Sequence, residues 1–197
     1  MPQIGALVLA AGTGIDLGGA TALAPWRGST LIEHVVGVVR ASPLAPIVVV
    51  VGPRSDDILE QSDLGDVTIV IDPEWREGRA APLRSGLDTM SRFLEIEAAI
   101  IIDADRPGVV PEVLVAVAAG PRSSPAPVTV PKYRYARGRP IGVDRSLWPR
   151  LMGLEGDVDV MDIVEAHPAW INEVRVDRLP PERVETSDDL AVALKLR

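Results

Sequence analysis

The stretch VLAAGTGIDLGGATALAP, residues 8–25, carries an apolar run directly into a loop with four glycines. An apolar segment followed by such a loop is typical of a strand that ends at a phosphate site, because glycine lets backbone N–H groups approach an anion closely. The loop nevertheless contains Asp16, and no basic residue precedes Arg27. The loop therefore has the glycine content of a phosphate loop without the positive charge expected there.

The glycine spacing matches neither of the two common nucleotide-binding patterns. Gly12 and Gly14 fit the start of the dinucleotide fingerprint, but the third glycine comes one position late. No Gly-Lys-Ser or Gly-Lys-Thr sequence follows, so a Walker loop is absent, and the first helix signal is Thr30 rather than a residue of the loop. The spacing alone leaves both a phosphate-binding role and a purely structural turn open.

Runs rich in valine and isoleucine recur along the chain and predict strands. The first four are almost continuously apolar, as expected for strands of a parallel sheet that is covered on both faces. The predicted strands are residues 4–11, 47–51, 67–72, 98–103, 127–133 and 171–177.

Segments with helical signals lie between and after these runs. Thr30 followed by Glu33 is the signature of a capping box and predicts a helix over residues 30–40. Three further helices are predicted: residues 81–96, residues 111–120 ended by Gly120, and residues 187–197 with Ser187 as N-cap.

Alternating strands and helices predict an α/β fold with a mostly parallel sheet and helices on both faces. Ligands of such sheets bind beyond the carboxyl ends of the strands. The chain is long enough for one sizeable core, and it contains no internal repeat and no long linker. We therefore expect a single domain over residues 1–197.

Composition restricts the classes of function. A net charge of −8 disfavours binding to nucleic acid or to an anionic membrane surface. The absence of cysteine excludes disulfides, thiolate zinc sites and a thiol nucleophile. Residues 4–11 are apolar but too short to span a membrane, and no basic residue precedes them as in a signal peptide. A cytoplasmic protein is expected.

Six motifs, taken in their order along the chain, resemble the MobA-like nucleotidyltransferases of molybdenum cofactor maturation, most closely the CTP:molybdopterin cytidylyltransferases. The resemblance covers essentially the whole chain and implies a Rossmann-like sheet of the nucleotide-diphospho-sugar transferase type. The motifs are LAAGTGIDLGG, DPEWREGRAAPLRSGL, IIDADRPGVVP, RGRPIGVD, LEGDVDVMDIV and VETSDDLAVAL.

The resemblance implies a reaction and the residues that perform it. The family binds an NTP over the sheet, transfers its nucleotidyl group to the phosphate of molybdopterin and releases pyrophosphate, with Mg²⁺ held across the reacting phosphates. Asp105 in Asp-Arg-Pro and Asp157 in Gly-Asp take the places of the two metal-binding carboxylates. Either residue can alternatively serve as an ordinary turn residue, and this alternative is stronger for Asp157 because Gly-Asp is a common turn sequence. The neighbouring Asp103 is given no role.

The first motif supplies the nucleotide-binding residues that the resemblance implies: Leu9, Ala10, Ala11, Gly12, Gly14 and Gly18. The cytidylyl enzymes are similar to this chain in having alanine at the position of Ala11, where the guanylyl enzymes have glycine. The methyl group takes room that a purine would need, which favours CTP over GTP.

The sequence departs from the family pattern where charge matters most. The arginine and the lysine of the family loop fall on Asp16 and Thr21, and a serine of the family falls on Pro82. The two lost cations are expected to face the triphosphate, where such contacts are most valuable.

Further departures lie in the later motifs. Asp159 and Met161 stand at the glycine and arginine of the pattern GDxGxR, and Arg139 replaces the histidine of RGHP. Replacement charge from neighbouring loops could come from Arg27, Arg76, Arg79 or Arg84, although exposed arginines are usually only solvated surface residues. Alternatively, Asp16 could help to bind a cation.

Three functions remain open. The first is a divergent Mg²⁺-dependent nucleotidyltransferase that uses CTP and acts on molybdopterin or a related phosphorylated acceptor. The second is a catalytically impaired homologue that binds the cofactor or a nucleotide as an accessory protein for a molybdenum hydroxylase. The third is a sugar-phosphate nucleotidyltransferase, for which the chain is short. The motifs favour the first.

Overall fold

The computed structural model describes residues 3–195, with the side chain of Ile15 excepted. Within these residues seven strands form one sheet, in the order β5-β4-β1-β6-β8-β7-β9, and β2 pairs with β3 in a separate hairpin. The strands are β1 (Gln3–Ala10), β2 (Pro25–Trp26), β3 (Ser29–Thr30), β4 (Ile47–Val51), β5 (Thr68–Ile71), β6 (Ile96–Asp103), β7 (Val128–Lys132), β8 (Ile141–Asp144) and β9 (Ile171–Arg175).

Most neighbouring strands run parallel, which confirms the predicted sheet. β1 pairs in parallel with β4 and β6, β4 with β5, and β7 with β9. Only β8 runs antiparallel to both of its neighbours, β6 and β7. The sequence did not predict β8 as a strand, since its four residues follow a proline and include Gly142, a weak strand former.

The helices cover both faces of the sheet, as predicted. Alternate residues of β1 enter two separate core clusters: Ala6 and Val8 pack with α1, whereas Leu7 packs with α3. The helices are α1 (Leu31–Arg40), α2 (Ser55–Gln61), α3 (Ala80–Ser91), α4 (Pro111–Ser123), α5 (Trp148–Met152), α6 (Val160–Glu165) and α7 (Ser187–Lys195).

The capping box at the start of α1 is confirmed. The Thr30 amide donates to the Glu33 carboxylate at 2.7 Å, and the Glu33 amide donates to the Thr30 hydroxyl. Hydrogen bonds from the backbone amides of Thr30 and Asp63 lower the pKa of Glu33.

Three predicted helix ends are wrong. α3 ends at Ser91 and not at residue 96, which is already the first residue of β6. α4 continues past Gly120 to Ser123, and Gly120 is needed instead for close packing, because a Cβ there would lie 2.1 Å from the Thr129 hydroxyl oxygen. α7 is capped by Thr186 rather than by Ser187: the Asp189 amide donates to the Thr186 hydroxyl, and the Thr186 amide donates back to the Asp189 carboxylate. The predicted last residue of this helix, Arg197, lies outside the described residues.

The topology places the two most informative motifs together. β1 and β6 are adjacent and parallel, with Leu9 opposite Asp103, so the glycine loop and the IIDADRP segment leave the sheet side by side. No helix in the described part of the chain has the length and apolar character needed to cross a bilayer.

Candidate active site

A cavity of about 300 Å³ lies at the carboxyl ends of β1 and β6, where ligands of α/β sheets collect. One side is formed by Leu9, Ala11, Gly12 and Thr13. The rest contains equal numbers of carboxylates and guanidinium groups, from Asp103, Asp105, Asp157, Asp159, Arg79, Arg106, Arg139 and Arg183. The acidic glycine loop therefore borders a cavity whose charged side chains balance.

The glycine loop is held by its own backbone. Gly14, Gly18 and Gly19 adopt left-handed conformations, with φ of 47°, 84° and 98°. The Leu17 and Gly19 amides both donate to the Gly14 carbonyl, and a Cβ on Gly14 would lie 2.4 Å from the Thr21 nitrogen. These glycines are required by the turn itself.

The residues predicted to bind nucleotide divide into two groups. Leu9, Ala11 and Gly12 line the cavity. Ala10 is buried at the end of β1, and Gly14 and Gly18 belong to the turn and are not among the residues that line the cavity.

The two substituted loop positions do not point charge into the cavity. Asp16 is exposed in a 3₁₀ turn over Ile15–Leu17, and its carbonyl accepts a hydrogen bond from the Ser187 hydroxyl. Thr21 is only 7% exposed and packs beneath the loop, with its amide directed at the Gly12 carbonyl. Neither residue is among those that line the cavity.

Asp105 follows β6 and makes a long-range ion pair. The Arg183 Nε donates to Asp105 Oδ2 at 2.6 Å, and the Val184 amide donates to the Asp105 carbonyl at 2.8 Å. The other carboxylate oxygen, Oδ1, is buried and has no hydrogen-bond partner among the described residues. A buried oxygen without a partner costs free energy, so this carboxylate is incompletely satisfied.

Asp157 lines the cavity from an exposed turn before α6. The turn is tied to the start of α3 by the Ala80 amide, which donates to the Gly156 carbonyl at 3.0 Å. Gly78 makes this contact possible, because its φ is 113° and a Cβ there would lie 2.4 Å from the Gly156 backbone.

Arg139 connects the end of β6 to the residues that precede α6. Its Nε lies 3.0 Å from Asp103 Oδ2, its Nη1 lies 3.2 Å from Asp103 Oδ1, and its Nη2 donates to Asp159. Arg106 lies 3.4 Å from Asp103, and Arg79 lies 3.2 Å from Asp159. Two carboxylates and three guanidinium groups therefore form one network along the cavity.

Burial and charge shift the pKa values of Asp103, Arg183 and the neighbouring Tyr133. Burial raises the pKa of Asp103, Arg139 opposes that shift, and Asp105 adds to it. Burial also raises the pKa of Tyr133 to about 12, and its hydroxyl donates to the Arg139 carbonyl. For Arg183 burial acts to lower the pKa, but the hydrogen bond to Asp105 and the negative charges of Asp105, Glu185 and Asp103 together overcome it, and the pKa is raised.

The donor set around Asp105 fits a Mg²⁺ ion. Mg²⁺ in phosphoryl-transfer sites is held by one or two carboxylates together with substrate phosphates, and the unpartnered Asp105 oxygen is a suitable ligand. Residues 3–195 contain no cluster of three or more His, Cys, Asp or Glu side chains that could hold a metal by themselves. A cation here would take its remaining oxygen ligands from water or from a bound substrate.

Of the four arginines predicted as replacement cations, only Arg79 lines the cavity. Arg27 and Arg76 lie over the rings of Trp26 and Trp75, and Arg84 pairs with glutamates outside it. Trp75 itself lines the cavity.

Three cavity arginines were missed by sequence reasoning. Arg106 could have been found from its position inside the Asp-Arg-Pro motif, and Arg139 from its replacement of a histidine. Arg183 carries no sequence signal, since it meets Asp105 across 78 positions of the chain.

Residues 6–171 match the family described as MobA-like NTP transferase domain. The chain belongs to this family. Nicotine blue oxidoreductase of Paenarthrobacter nicotinovorans is 27% identical over 197 residues, which cover 96% of this chain and 93% of that protein.

Solved structures of related chains superimpose closely on this MobA-like protein. The Rv0371c homologue from Mycobacterium sp. strain JC1 matches with a TM-score of 0.86 and 28% identity, over 97% of this chain and 94% of the homologue. Rv0371c of Mycobacterium tuberculosis H37Rv, solved in complex with manganese, matches with a TM-score of 0.84 and 24% identity, over 99% of this chain and 100% of that chain. These comparisons confirm the predicted fold and family.

Proposed function

We propose that this protein is a metal-dependent nucleotidyltransferase that transfers CMP from CTP to a phosphorylated acceptor, molybdopterin being the acceptor that the motifs favour. The observation that carries the proposal is the buried Asp105 oxygen without a partner, beside a glycine loop and within a charge-balanced cavity. Membership of the MobA-like NTP transferase family and the manganese complex of Rv0371c support it.

The reaction exchanges one bond to phosphorus for another. An oxygen of the acceptor phosphate attacks the α-phosphorus of CTP, the bond from that phosphorus to the bridging oxygen breaks, and pyrophosphate leaves. Asp105 and Asp157 would hold Mg²⁺, which stabilises negative charge on the reacting phosphates when it is bound.

The residues of this chain orient the nucleotide and offset its charge. The backbone at Gly12 and Thr13 approaches the phosphates, and the methyl group of Ala11 narrows the space for the base. Arg79, half exposed at the cavity, and Arg183 provide positive charge near the leaving pyrophosphate, in place of the cations absent from positions 16 and 21.

Thermal unfolding with CTP, GTP and ATP, each with and without Mg²⁺, tests binding, because a ligand of the folded state raises Tm. We expect the largest shift with CTP and Mg²⁺. Asp105→Asn should abolish the Mg²⁺-dependent part of the shift and slow pyrophosphate release by on the order of a hundredfold or more. The matched control is Asp177→Asn, which removes an exposed carboxylate outside the cavity and should change neither.

Two other functions make different predictions in the same experiments. An accessory protein for a molybdenum hydroxylase would bind molybdopterin or nucleotide but release no pyrophosphate. An oxidoreductase, which the name of the Paenarthrobacter relative suggests, would transfer electrons to or from nicotine blue without any need for CTP. Pyrophosphate release that requires both Mg²⁺ and acceptor contradicts both alternatives.

A further inference from the structure

Arg139 occupies the centre of the ion network that crosses the cavity. Its side chain is only 10% exposed, and the side chains of its partners Asp103 and Asp159 are 19% and 21% exposed. The three residues come from separate parts of the chain, since Asp103 ends β6, Arg139 precedes β8 and Asp159 caps α6. One guanidinium group thus joins a strand end to a turn that follows much later in sequence.

Both Arg139 and Asp159 depart from the family pattern. Arg139 stands where the family pattern RGHP has histidine, and Asp159 stands where GDxGxR has glycine. Two departures in different motifs therefore contact each other, and each supplies the charge that the other needs. A chain with only one of them would lose this contact: Arg139 alone would keep Asp103 as its partner, and Asp159 alone would keep only the half-exposed Arg79.

We propose that Arg139 is a positioning residue that fixes residues 156–160, and with them Asp157, against the strand end that carries Asp105. The inference rests on the proposed function only in assigning Asp105 and Asp157 to the same ligand.

Few other contacts could hold this turn. The Ala80 amide binds the Gly156 carbonyl, and Val160 is buried at the start of α6. Without Arg139, the carboxylates of Asp103 and Asp159 would both remain at the cavity and repel each other, with Arg106 at 3.4 Å and the half-exposed Arg79 at 3.2 Å as the remaining cations. The turn would then move away from the strand end.

The geometry requires arginine rather than any cation. Three different nitrogens of Arg139 reach two carboxylates, whereas the single ammonium group of lysine cannot span both. The backbone of Arg139 is fixed as well, because the Tyr133 hydroxyl donates to its carbonyl at 2.6 Å.

Asp159 has two roles that a substitution can separate, the ion pair with Arg139 and the cap of α6. Its Oδ1 also accepts from the Met161 amide at 2.8 Å and so caps α6. Asparagine is an equally good N-cap, so Asp159→Asn keeps the cap and removes only the charge.

The test is hydrogen exchange of the amides of residues 155–165, which requires no turnover. At a temperature where every variant is folded, Arg139→Gln and Asp159→Asn should each accelerate exchange there by on the order of tenfold, with Arg139→Lys in between. The double variant should exchange no faster than the faster single variant, because both remove the same contact. Arg137→Gln, which removes an ion pair with Glu173 on the outer strand, should leave these amides unchanged.

Steady-state kinetics add a measurement that a general loss of stability would not change. Below the unfolding transition, Arg139→Gln should lower kcat by on the order of tenfold or more while KM for the NTP changes by less than about threefold. Unchanged exchange at 155–165, additive effects in the double variant, or an unaltered kcat would each overturn the positioning role. If exchange behaves as expected but wild type releases no pyrophosphate, the positioning role stands and the proposed function fails.

Discussion

The two sides of the cavity are stabilised by contacts of different range. On the glycine-loop side the Gly14 carbonyl accepts from Leu17 and Gly19, only three and five positions away. On the opposite side Arg139 reaches Asp103 across 36 positions, and Arg183 reaches Asp105 across 78. Local turns fix the backbone of one side, and distant ion pairs supply the charge of the other.

This difference changes how the acidic loop is understood. Asp16 is exposed on the outside of the turn and Thr21 packs beneath it, so the loop has lost cations without adding a negative side chain to the cavity. Positive charge is still present, in arginines that belong to other segments. Each of the four cavity arginines already lies within 4 Å of an aspartate, and a bound triphosphate would have to compete with those carboxylates.

The comparison predicts costs of different size for restoring the two loop cations. Thr21→Lys places an ammonium group where the wild-type side chain is only 7% exposed, and we expect it to lower the free energy of unfolding by about 2–3 kcal/mol. Asp16→Arg lies on an exposed turn and should cost less than about 0.5 kcal/mol.

Urea unfolding of the two single variants measures both effects. If Thr21→Lys is as stable as wild type and also tightens CTP binding, the loop adopts another conformation with ligand, and the division of the cavity into a backbone side and a charged side is wrong.

The glycine-loop side of the cavity was more predictable from the sequence than the side that carries the distant ion pairs. The apolar runs, the glycine loop and the capping box at Thr30 all depend on residues close in sequence, and the structure contains each of them. The proximity of the loop to Asp105 was also predictable, because the carboxyl ends of adjacent parallel strands share one edge of the sheet.

Features that depend on distant packing were missed. Gly120 was predicted to end a helix, but it is a glycine because α4 lies close against Thr129 of β7. Arg183 has an ordinary surface-like sequence context, and only the fold brings it to Asp105. Local patterns carry no information on which of twenty Lys and Arg residues meets a given carboxylate.

On the charged side, Arg183→Gln tests whether this arginine competes with a cation for Asp105. Removing a guanidinium group 2.6 Å from the carboxylate should tighten Mn²⁺ binding in the absence of nucleotide by about tenfold, since a positive charge so close opposes a second one. Electron paramagnetic resonance of free Mn²⁺ measures this directly. Arg134→Gln, which removes an exposed pair with Asp177, is the matched control. Weaker Mn²⁺ binding in Arg183→Gln would mean that Arg183 orients Asp105 for the cation instead.

The smallest effect is expected at Arg54, a long side chain that supports the glycine loop. Arg54 donates to the Gly18 carbonyl at 2.6 Å and pairs with Asp57, and both members of that pair are about two-fifths exposed. Its φ is 55°, a left-handed conformation that asparagine tolerates better than most residues.

Arg54→Asn should therefore change the free energy of unfolding by less than about 1 kcal/mol and leave the Tm shift with CTP and Mg²⁺ intact. The reason is that the left-handed glycines and the two amides bound to the Gly14 carbonyl hold the turn without this arginine. A loss of the CTP shift in this variant would show that the loop conformation depends on a contact from 36 positions away. The glycine loop would then be held, like the opposite side of the cavity, by the tertiary fold and not by its own turn.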